Sequence, residues 1–250
     1  MFHLALYHAS LAGNVGLTQL NALGDTMIAP AANGYLVHAA VPKLMRASGL
    51  GALLVRANLN SASIRDFTPF DLSPVNVGVA NASPARFQDW SDKPIPLAPN
   101  EELDAFILNS AAGPTRTSVA VWFCDGPPVP VKGRVFTVHW TNTVAAVAFQ
   151  WTAFQPIFDN GLPSGTFAIV GSRLKSATSQ YHRFVSRGGT AFRPGTFSVT
   201  ADGDYAAPQD RYGNIGEFMR FTNTTAPQIE NFALAADAVS DGFMDLIQVA

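Results

Sequence analysis

From Met27 onward the chain is a succession of short apolar runs separated by Pro, Gly and Asn. The runs cover residues 34–38, 52–56, 103–108, 118–123, 135–140, 145–151, 166–170, 180–185, 196–200, 217–222 and 243–249. In this part of the chain only residues 230–238 favour a short helix. Many short strands at roughly even spacing, with turn residues between them, are typical of a sandwich or barrel. The sequence therefore predicts an all-β protein.

A break between two of these runs lies almost at the midpoint of the 250 residues. Residues 120–123 are apolar and residues 134–140 are rich in strand formers, and Asp-Gly-Pro-Pro at residues 125–128 separates them. Asp-Gly tolerates positive φ, and the prolines remove ladder donors, so strand pairing has to stop here. The position indicates two similar halves joined across residues 126–133.

Short motifs recur in the two halves at a nearly constant offset. Residues 103–106 align with 229–232, and residues 120–123 align with 246–249, both at an offset of 126. At an offset of 125, residues 67–69 align with 192–194 and residues 86–87 with 211–212. Nearer the N-terminus, residues 30–37 align with 163–170 at an offset of 133, and Lys43 with Lys175 at 132. We interpret this as a duplicated β unit, whose length suits an eight-stranded double-sheet jelly roll.

Residues 1–25 are the least strand-like part of the chain. Their leucines could form one apolar stripe on a helix, although Gly13 and Gly16 would interrupt it. We expect an N-terminal arm with a short helical piece. The predicted organisation is therefore an arm over residues 1–26, a first jelly roll over 27–128 and a second over 129–250.

Charged residues make up only 14% of the chain, against roughly 25% in ordinary soluble domains. Arg outnumbers Lys by 12 to 4, Asp outnumbers Glu by 14 to 4, and there are 18 Phe. Lys and Glu are depleted at protein interfaces, whereas Arg and aromatic residues are enriched there. The composition favours a chain that buries much of its surface against other subunits. The alternative is a β-rich protein whose turns use Asp, Gly and Pro.

Several classes of protein are disfavoured. The net charge of −2, without a Lys/Arg cluster, gives no electrostatic footprint for nucleic acid. Cys124 is the single cysteine, so no intrachain disulfide forms and no oxidising compartment is implied. The apolar start lacks a positively charged segment and is a poor signal peptide. No run of 18 apolar residues occurs, so we expect a soluble protein without a membrane span.

The histidines do not form a recognisable metal or catalytic motif. They are His3, His8, His38, His139 and His182, and none has the spacing of HxH or HExxH. His38 and His139 stand inside apolar runs, which favours a core or interface role. No GxSxG elbow is present, and Cys124 has only distant histidines, so we interpret it as structural. The sequence predicts no catalytic residue, no cofactor and no enzyme activity.

Acidic residues offer one fragment of a metal motif. Asp202-Gly-Asp204, followed by Asp210, resembles part of a calcium loop but lacks its third ligand spacing and its terminal Glu. The same residues are ordinary turn formers. We predict no metal, and binding near Asp202 and Asp204 stays open. Glu101 and Glu102 are adjacent on a strand, so they point to opposite faces and cannot share a site.

Two other patterns have structural interpretations. The Gly-Leu-Gly of residues 49–51 lacks the helix and Lys of a phosphate-binding loop. Five aromatic residues could stack on sugars, but most alternate with small apolar residues, as core positions do. They are Trp90, Trp122, Trp140, Phe149 and Trp151.

The tandem β halves, the break at residues 125–128 and the scarcity of surface charge resemble the double jelly-roll major capsid proteins of tailless icosahedral bacterial viruses. The most family-like pieces are the Pro-rich turn of residues 93–99 and Phe-Arg-Pro-Gly at residues 192–195. The chain is short for that family and leaves little room for tower loops.

The resemblance implies a structural role in a virion assembled in the host cytoplasm. It implies homotrimers of pseudo-hexagonal outline that tile an icosahedral shell and contact penton or spike proteins, with no sequence-specific nucleic acid. The apolar N-terminal arm suits packing beneath a neighbouring subunit or facing an internal membrane, and both alternatives stay open. The alternative function is a carbohydrate- or receptor-binding β-sandwich, such as a spike or lectin-like module.

Overall fold

A computed structural model of the chain describes residues 2–13, 15–19, 21–22, 34–41, 50–58, 70–71, 86–89, 95–97, 101–109, 115–125, 129–176, 178–186, 193–198, 216–237 and 240–249. Every regular element in these residues is a β-strand, which confirms the predicted all-β class. Within the same residues no helix is long and apolar enough to cross a membrane. The predictions made for Asp202, Asp204, Asp210 and Trp90 lie outside the described residues.

Ten described strands precede the junction. They are β1 (Phe2–Leu11), β2 (Val15–Gln19), β3 (Asn21–Ala22), β4 (Gly34–Val41), β5 (Leu50–Asn58), β6 (Phe70–Asp71), β7 (Arg86–Asp89), β8 (Ile95–Leu97), β9 (Glu101–Asn109) and β10 (Thr115–Cys124). Nine described strands follow it. They are β11 (Val135–Asn142), β12 (Trp151–Phe154), β13 (Ile157–Phe158), β14 (Thr166–Lys175), β15 (Ser179–Val185), β16 (Gly195–Phe197), β17 (Met219–Thr222), β18 (Gln228–Ala233) and β19 (Ser240–Gln248).

Each half builds two sheets, and the strand orders of the halves correspond. The first half has a larger sheet of order β3-β1-β10-β4-β7, with β8 also paired to β4, and a smaller sheet of order β2-β9-β5-β6. The second half has the orders β13-β11-β19-β14-β17 and β12-β18-β15-β16. The arrangement is the same strand by strand, with β17 beside β14 where β7 and β8 lie beside β4.

A β-bulge recurs in both larger sheets. The pairing of β4 with β10 skips Val37, and the pairing of β14 with β19 skips Val170. These valines are 133 residues apart, which is the offset at which residues 30–37 align with 163–170. A bulge bends its strand and increases the local twist. The two larger sheets therefore share a detail of backbone geometry as well as a strand order.

Two of the aligned motifs occupy equivalent strands. Residues 103–106 lie in β9 and residues 229–232 in β18, each the second strand of its smaller sheet. Phe106 pairs with Leu53 and Phe232 pairs with Tyr181, and both registers continue in step over the next three pairs. The motif similarity therefore coincides with an equivalent place in the fold.

The predicted offset of 126 between β10 and β19 is wrong by three residues. Next to the shared bulge, Phe123 lies opposite Leu36 and Leu246 lies opposite Ile169. Leu36 and Ile169 are equivalent at the offset of 133, so their partners Phe123 and Leu246 are equivalent too, at an offset of 123. Strands buried on both faces carry apolar residues at nearly every position, so they align about equally well at several offsets.

The N-terminal residues form strands, and the helical piece predicted for this region is wrong for residues 2–11, 15–19 and 21–22. β1 lies between β3 and β10 in the larger sheet. Leu4, Ala5, Leu6 and Tyr7 are all buried. Such a doubly buried strand lacks polar alternation, so its leucines resemble a helical stripe.

Two predictions for the second half are also wrong. Residues 230–233 belong to β18, which pairs with β12 on one side and β15 on the other, so they are not helical. Residues 145–150 do not form a strand, because only Ala146 and Ala148 make isolated bridges. Phe149 has a φ of 58°, a conformation that interrupts strands, and β12 begins two residues later.

The chain divides into two compact units, Ala5–Pro127 and Met1–Leu4 together with Pro128–Ala250. The predicted bounds of an arm and two jelly rolls stay a prediction. In the second of these units, aromatic contacts fill the space between the two sheets. The rings of Trp140 and Phe154 lie 5.5 Å apart, and those of Phe184 and Phe218 lie 6.0 Å apart. Burying each such side chain contributes about 1.5–3 kcal/mol and fixes which side of the larger sheet points outward.

Candidate interaction face

The outward side of the larger sheet in the second half carries a cross-strand row of functional side chains. His139 of β11 pairs with Phe243 of β19, which pairs with Arg173 of β14. Side chains alternate along a strand, so this row points away from the buried Trp140. We define the outer face as Thr137, His139, Asp159, Arg173, Asp241 and Phe243.

His139 lies between two carboxylates. Its Nδ1 is 2.6 Å from Asp159 Oδ2, and its Nε2 is 3.3 Å from Asp241 Oδ2. The hydrogen bond to Asp159 is the main cause that raises the pKa of His139 above 6.5; desolvation, the next largest effect, lowers the pKa, and the hydrogen bond to Asp241 raises it again. Because the carboxylates meet opposite edges of the ring, they cannot converge with one ring nitrogen on a single metal ion. Within the described residues no group of three or more His, Cys, Asp or Glu is arranged to hold a metal.

Phe243 is partly exposed in the middle of the outer face. Its ring centroid lies 4.9 Å from that of His139, and the guanidinium carbon of Arg173 lies 5.8 Å from it. Cation–π contacts at exposed sites are worth about 0.5–1 kcal/mol. In the next outward cross-strand pair, Thr137 of β11 donates a 2.6 Å hydrogen bond to the buried Asp245 of β19.

A neighbouring part of this sheet surface contacts the segment that joins the two halves. Ala168, Val170 and Ile247 form a buried cluster, and Val131 and Val135 pack against it. The bulged residue Val170 thus contributes its side chain to this cluster. Gly133, with a φ of 155°, approaches Ile247 so closely that an added Cβ would lie 2.5 Å from its Cγ2. The outer face lies on the same side of this sheet as the covered cluster, because Val135 pairs with Ile247 two positions along from the pair of Thr137 with Asp245.

A buried charge network lies on the smaller sheet of the second half. Arg183 is fully buried, its Nε is 2.6 Å from Glu230 Oε2, and its guanidinium carbon lies 4.0 Å from the Trp151 ring centroid. Arg193 adds a second contact to Glu230 at 3.3 Å. Charges can be buried only when they are paired and hydrogen-bonded. The strand register brings these side chains together. Arg183 of β15 lies opposite Glu230 of β18, and Glu230 lies opposite Ala153 of β12, the strand that carries Trp151.

The first residues of the chain connect to this network. The Leu4 amide donates to the Arg193 carbonyl at 2.9 Å, and the Arg193 amide donates to His3 Nδ1 at 3.0 Å. The Arg183 Nη1 donates to the Leu4 carbonyl at 3.4 Å. His3, one of the five histidines without a metal-ligand spacing, is thus an acceptor for a backbone amide.

His182 is buried between two serines. Its Nε2 is 2.8 Å from Ser172 Oγ, and its Nδ1 is 3.2 Å from Ser198 Oγ. Desolvation lowers its pKa to about 3, so the ring is neutral at physiological pH. A serine–histidine pair of this kind has the elements of a nucleophile and a base. Both side chains are almost completely buried, however, and the arrangement satisfies hydrogen bonds in the core.

The other described sequence candidates are not residues of the outer face. Trp122 and Trp140 are fully buried, as core patterning predicts, and Cys124 is a buried cysteine that forms no disulfide. Trp151 contacts Arg183 through its ring face. Glu101 and Glu102 are consecutive residues of β9.

No sequence pattern pointed to the partners of His139. Asp159 is 20 residues and Asp241 is 102 residues away from it in the chain. The antiparallel register of β11 brings both carboxylates near His139. Thr141 lies opposite Asp241 of β19 on one side of β11 and opposite Ile157 of β13 on the other.

Comparisons with known proteins give little similarity. No protein-family model matches the chain, and no curated protein matches it. The chain is similar, at a TM-score of 0.28 and 10% sequence identity, to the crystal structure of the major capsid protein P2 from bacteriophage PM2. The similarity covers 100% of this chain and 98% of that one.

Proposed function

We propose that the chain is the structural subunit of an icosahedral viral shell, with each half an eight-stranded jelly roll. The observation that carries the proposal is the identical strand order of the two halves, with a bulge at Val37 and at Val170. Jelly rolls limit free strand edges, so copies of the chain can meet through side chains and loops. Two similar units in one chain allow a trimer to present six similar faces.

Composition supports the same proposal. Only 14% of the residues are charged, and Arg is three times as frequent as Lys. Arg is favoured over Lys at interfaces, because its planar guanidinium binds carboxylates in a bidentate manner and stacks on aromatic rings. The proposed partners are two further copies of the chain, then neighbouring trimers and other virion proteins such as penton or spike; contact with an internal membrane stays open. We propose no catalytic role and no sequence-specific nucleic acid.

The experiment is a measurement of assembly state. We expect native mass spectrometry and light scattering at low micromolar concentration to give a trimer of the 26.6 kDa chain or larger particles. Negative-stain images should show hexagonal outlines or shells. A stable, monodisperse monomer would reject the shell proposal.

A loop variant with a matched control sharpens the test. Val144 and Val147 are 45% and 49% exposed in the loop between β11 and β12, and we expect part of the trimer contact to bury them. The double change Val144→Glu and Val147→Glu should shift the chain toward monomer without lowering its unfolding temperature. The same change at two exposed polar positions, Thr224→Glu and Asn223→Glu, should leave assembly intact.

The second candidate function is a carbohydrate- or receptor-binding module. Among the large hydrophobic side chains that are well exposed in the described residues, Phe243, 38% exposed, is the aromatic one. Sugar recognition would use such a ring. Its ring, however, already contacts His139 and Arg173. A monomer that binds glycans, with binding lost in Phe243→Ala, would favour this alternative over the shell.

A further inference from the structure

The two hydrogen bonds of His139 define its protonation state. Both ring nitrogens face carboxylate oxygens, at 2.6 Å for Asp159 and 3.3 Å for Asp241. A neutral imidazole has one donor and one acceptor, whereas the imidazolium has two donors. A carboxylate only accepts, so both contacts are hydrogen bonds only when His139 carries two protons. Each neutral tautomer would set a lone pair against one carboxylate.

One of the two carboxylates belongs to a weakly held edge. β13 is only two residues long and pairs with β11 at Trp140 and Thr141. Its Ile157 is 52% exposed. Asp159 follows directly, and its amide donates to the His139 carbonyl at a long 3.3 Å. The His139–Asp159 side-chain contact adds to that bond and to the two ladder pairs at the end of β13.

We propose that His139 is a proton-sensitive latch that holds β13 on the edge of β11, closed while the imidazole donates to both Asp159 and Asp241 and weakened when it loses a proton. The inference does not rest on the proposed shell function. It assigns His139 a role beyond packing, and it names a backbone edge that becomes available when the latch opens.

The charged groups around the latch come from three elements. Asp159 follows β13, and Asp241 and Asp245 project from β19. From β14, Arg173 lies beyond Phe243 and Lys175 lies opposite Asp241 in register. The two carboxylates that contact the ring favour its charged form. Asp245 is buried and hydrogen-bonded to Thr137, so its carboxylate is directed away from His139 to that hydroxyl.

The direction of the pH effect follows from linkage. A histidine with a raised folded-state pKa contributes stability below its unfolded value of 6.5 and loses it as the pH rises through the folded value. The opening constant of β13 should therefore rise by up to about tenfold per pH unit above pH 6.5 until the folded pKa is passed. An open β13 leaves the donors and acceptors of β11 unpaired, and such an edge is a template for another strand.

Hydrogen exchange on the whole chain, in its native assembly state, tests the latch. Protection factors, corrected for intrinsic exchange, would be measured for peptides covering residues 155–160 between pH 5.5 and 8.5. We expect protection to fall with rising pH in the natural chain. His139→Gln, which is neutral throughout, should show low and pH-independent protection.

Two further variants keep the test independent of folding defects. Asp159 is 49% exposed, so Asp159→Asn should fold and should also show low protection with little pH dependence. Glu217→Gln removes the exposed pair with Arg220 at the opposite edge of the sheet and should behave like the natural chain. An NMR titration of His139 should give a pKa above 6.5. Protection that does not change with pH in the natural chain, or an unchanged pH response in His139→Gln or Asp159→Asn, would overturn the latch.

Discussion

The guanidinium carbon of Arg183 lies 4.0 Å from the Trp151 ring centroid while its Nε lies 2.6 Å from Glu230. Arg183 thus combines a stacked aromatic contact with an ion pair in a fully buried position. Removing Arg183 leaves Glu230 with Arg193 alone, at 3.3 Å, and breaking a buried pair by removing one partner is strongly destabilising. We expect Arg183→Met to lower the free energy of unfolding by about 3 kcal/mol, measured by denaturant titration.

An exposed pair provides the matched control. Arg220 Nε contacts Glu217 at 2.8 Å, with side chains 57% and 30% exposed. Exposed ion pairs contribute about 0–1 kcal/mol, so Arg220→Met should change stability by less than about 1 kcal/mol. Equal losses in the two variants would show that the burial of Arg183 has no energetic consequence.

Gly242 is a position where a side chain cannot be added. A Cβ there would lie 2.2 Å from the Arg173 carbonyl oxygen and 2.3 Å from Trp140 Cζ2. Both neighbours are fixed, one as backbone and the other as a fully buried ring. We expect Gly242→Ala to cost about 1–3 kcal/mol, as overpacking does. Gly161→Ala, where an added Cβ meets nothing within 4 Å, should stay within about 0.5 kcal/mol of the natural chain.

The strand positions were predictable where local patterns determine them. Residues 103–106 and 229–232 share spacing and lie in equivalent strands. The offset of 133 between residues 30–37 and 163–170 also agrees with the shared bulge. The same reasoning failed for strands that are apolar at nearly every position. The leucines of β1 were interpreted as a helical stripe, and β10 was aligned with β19 three residues away from its true offset.

The candidate interaction face could not be predicted, because long-range register creates it. His139 was interpreted as a core or interface residue, and its half-exposed position on the outer face leaves an interface role open. Asp159 and Asp241 resemble ordinary turn and strand residues in the sequence. Their approach to His139 depends on two separate strand pairings of β11.

Cys124 should react slowly while the chain is folded. It forms no disulfide and is 2% exposed at the end of β10, and access limits thiol reactivity. A colorimetric thiol reagent should label it within seconds in denaturant and far more slowly in native buffer. Cys124→Ala should keep assembly and cost about 1 kcal/mol. Fast native labelling would contradict a structural role.

His182 should make the chain sensitive to acid, in the direction opposite to His139. Burial lowers its pKa to about 3 from 6.5, so the unfolded chain takes up a proton that the folded chain excludes. Stability is then fully present above pH 6.5 and falls as the pH decreases toward the folded value, by up to about 1.4 kcal/mol per pH unit.

The variant His182→Asn isolates this effect, because Asn keeps a hydrogen-bonding group near Ser172 and Ser198 but does not titrate. Carboxylates contribute their own acid dependence mainly below about pH 5, so the informative window lies between pH 5 and 6.5. Across that window the free energy of unfolding should fall less steeply with decreasing pH in His182→Asn than in the natural chain. His139→Gln removes an effect of the opposite sign, so it should make the slope somewhat steeper near pH 6.5 and should differ most from the natural chain above pH 6.5. If His182→Asn shows the same slope as the natural chain, His182 takes up its proton while folded and the two serines must accommodate an imidazolium.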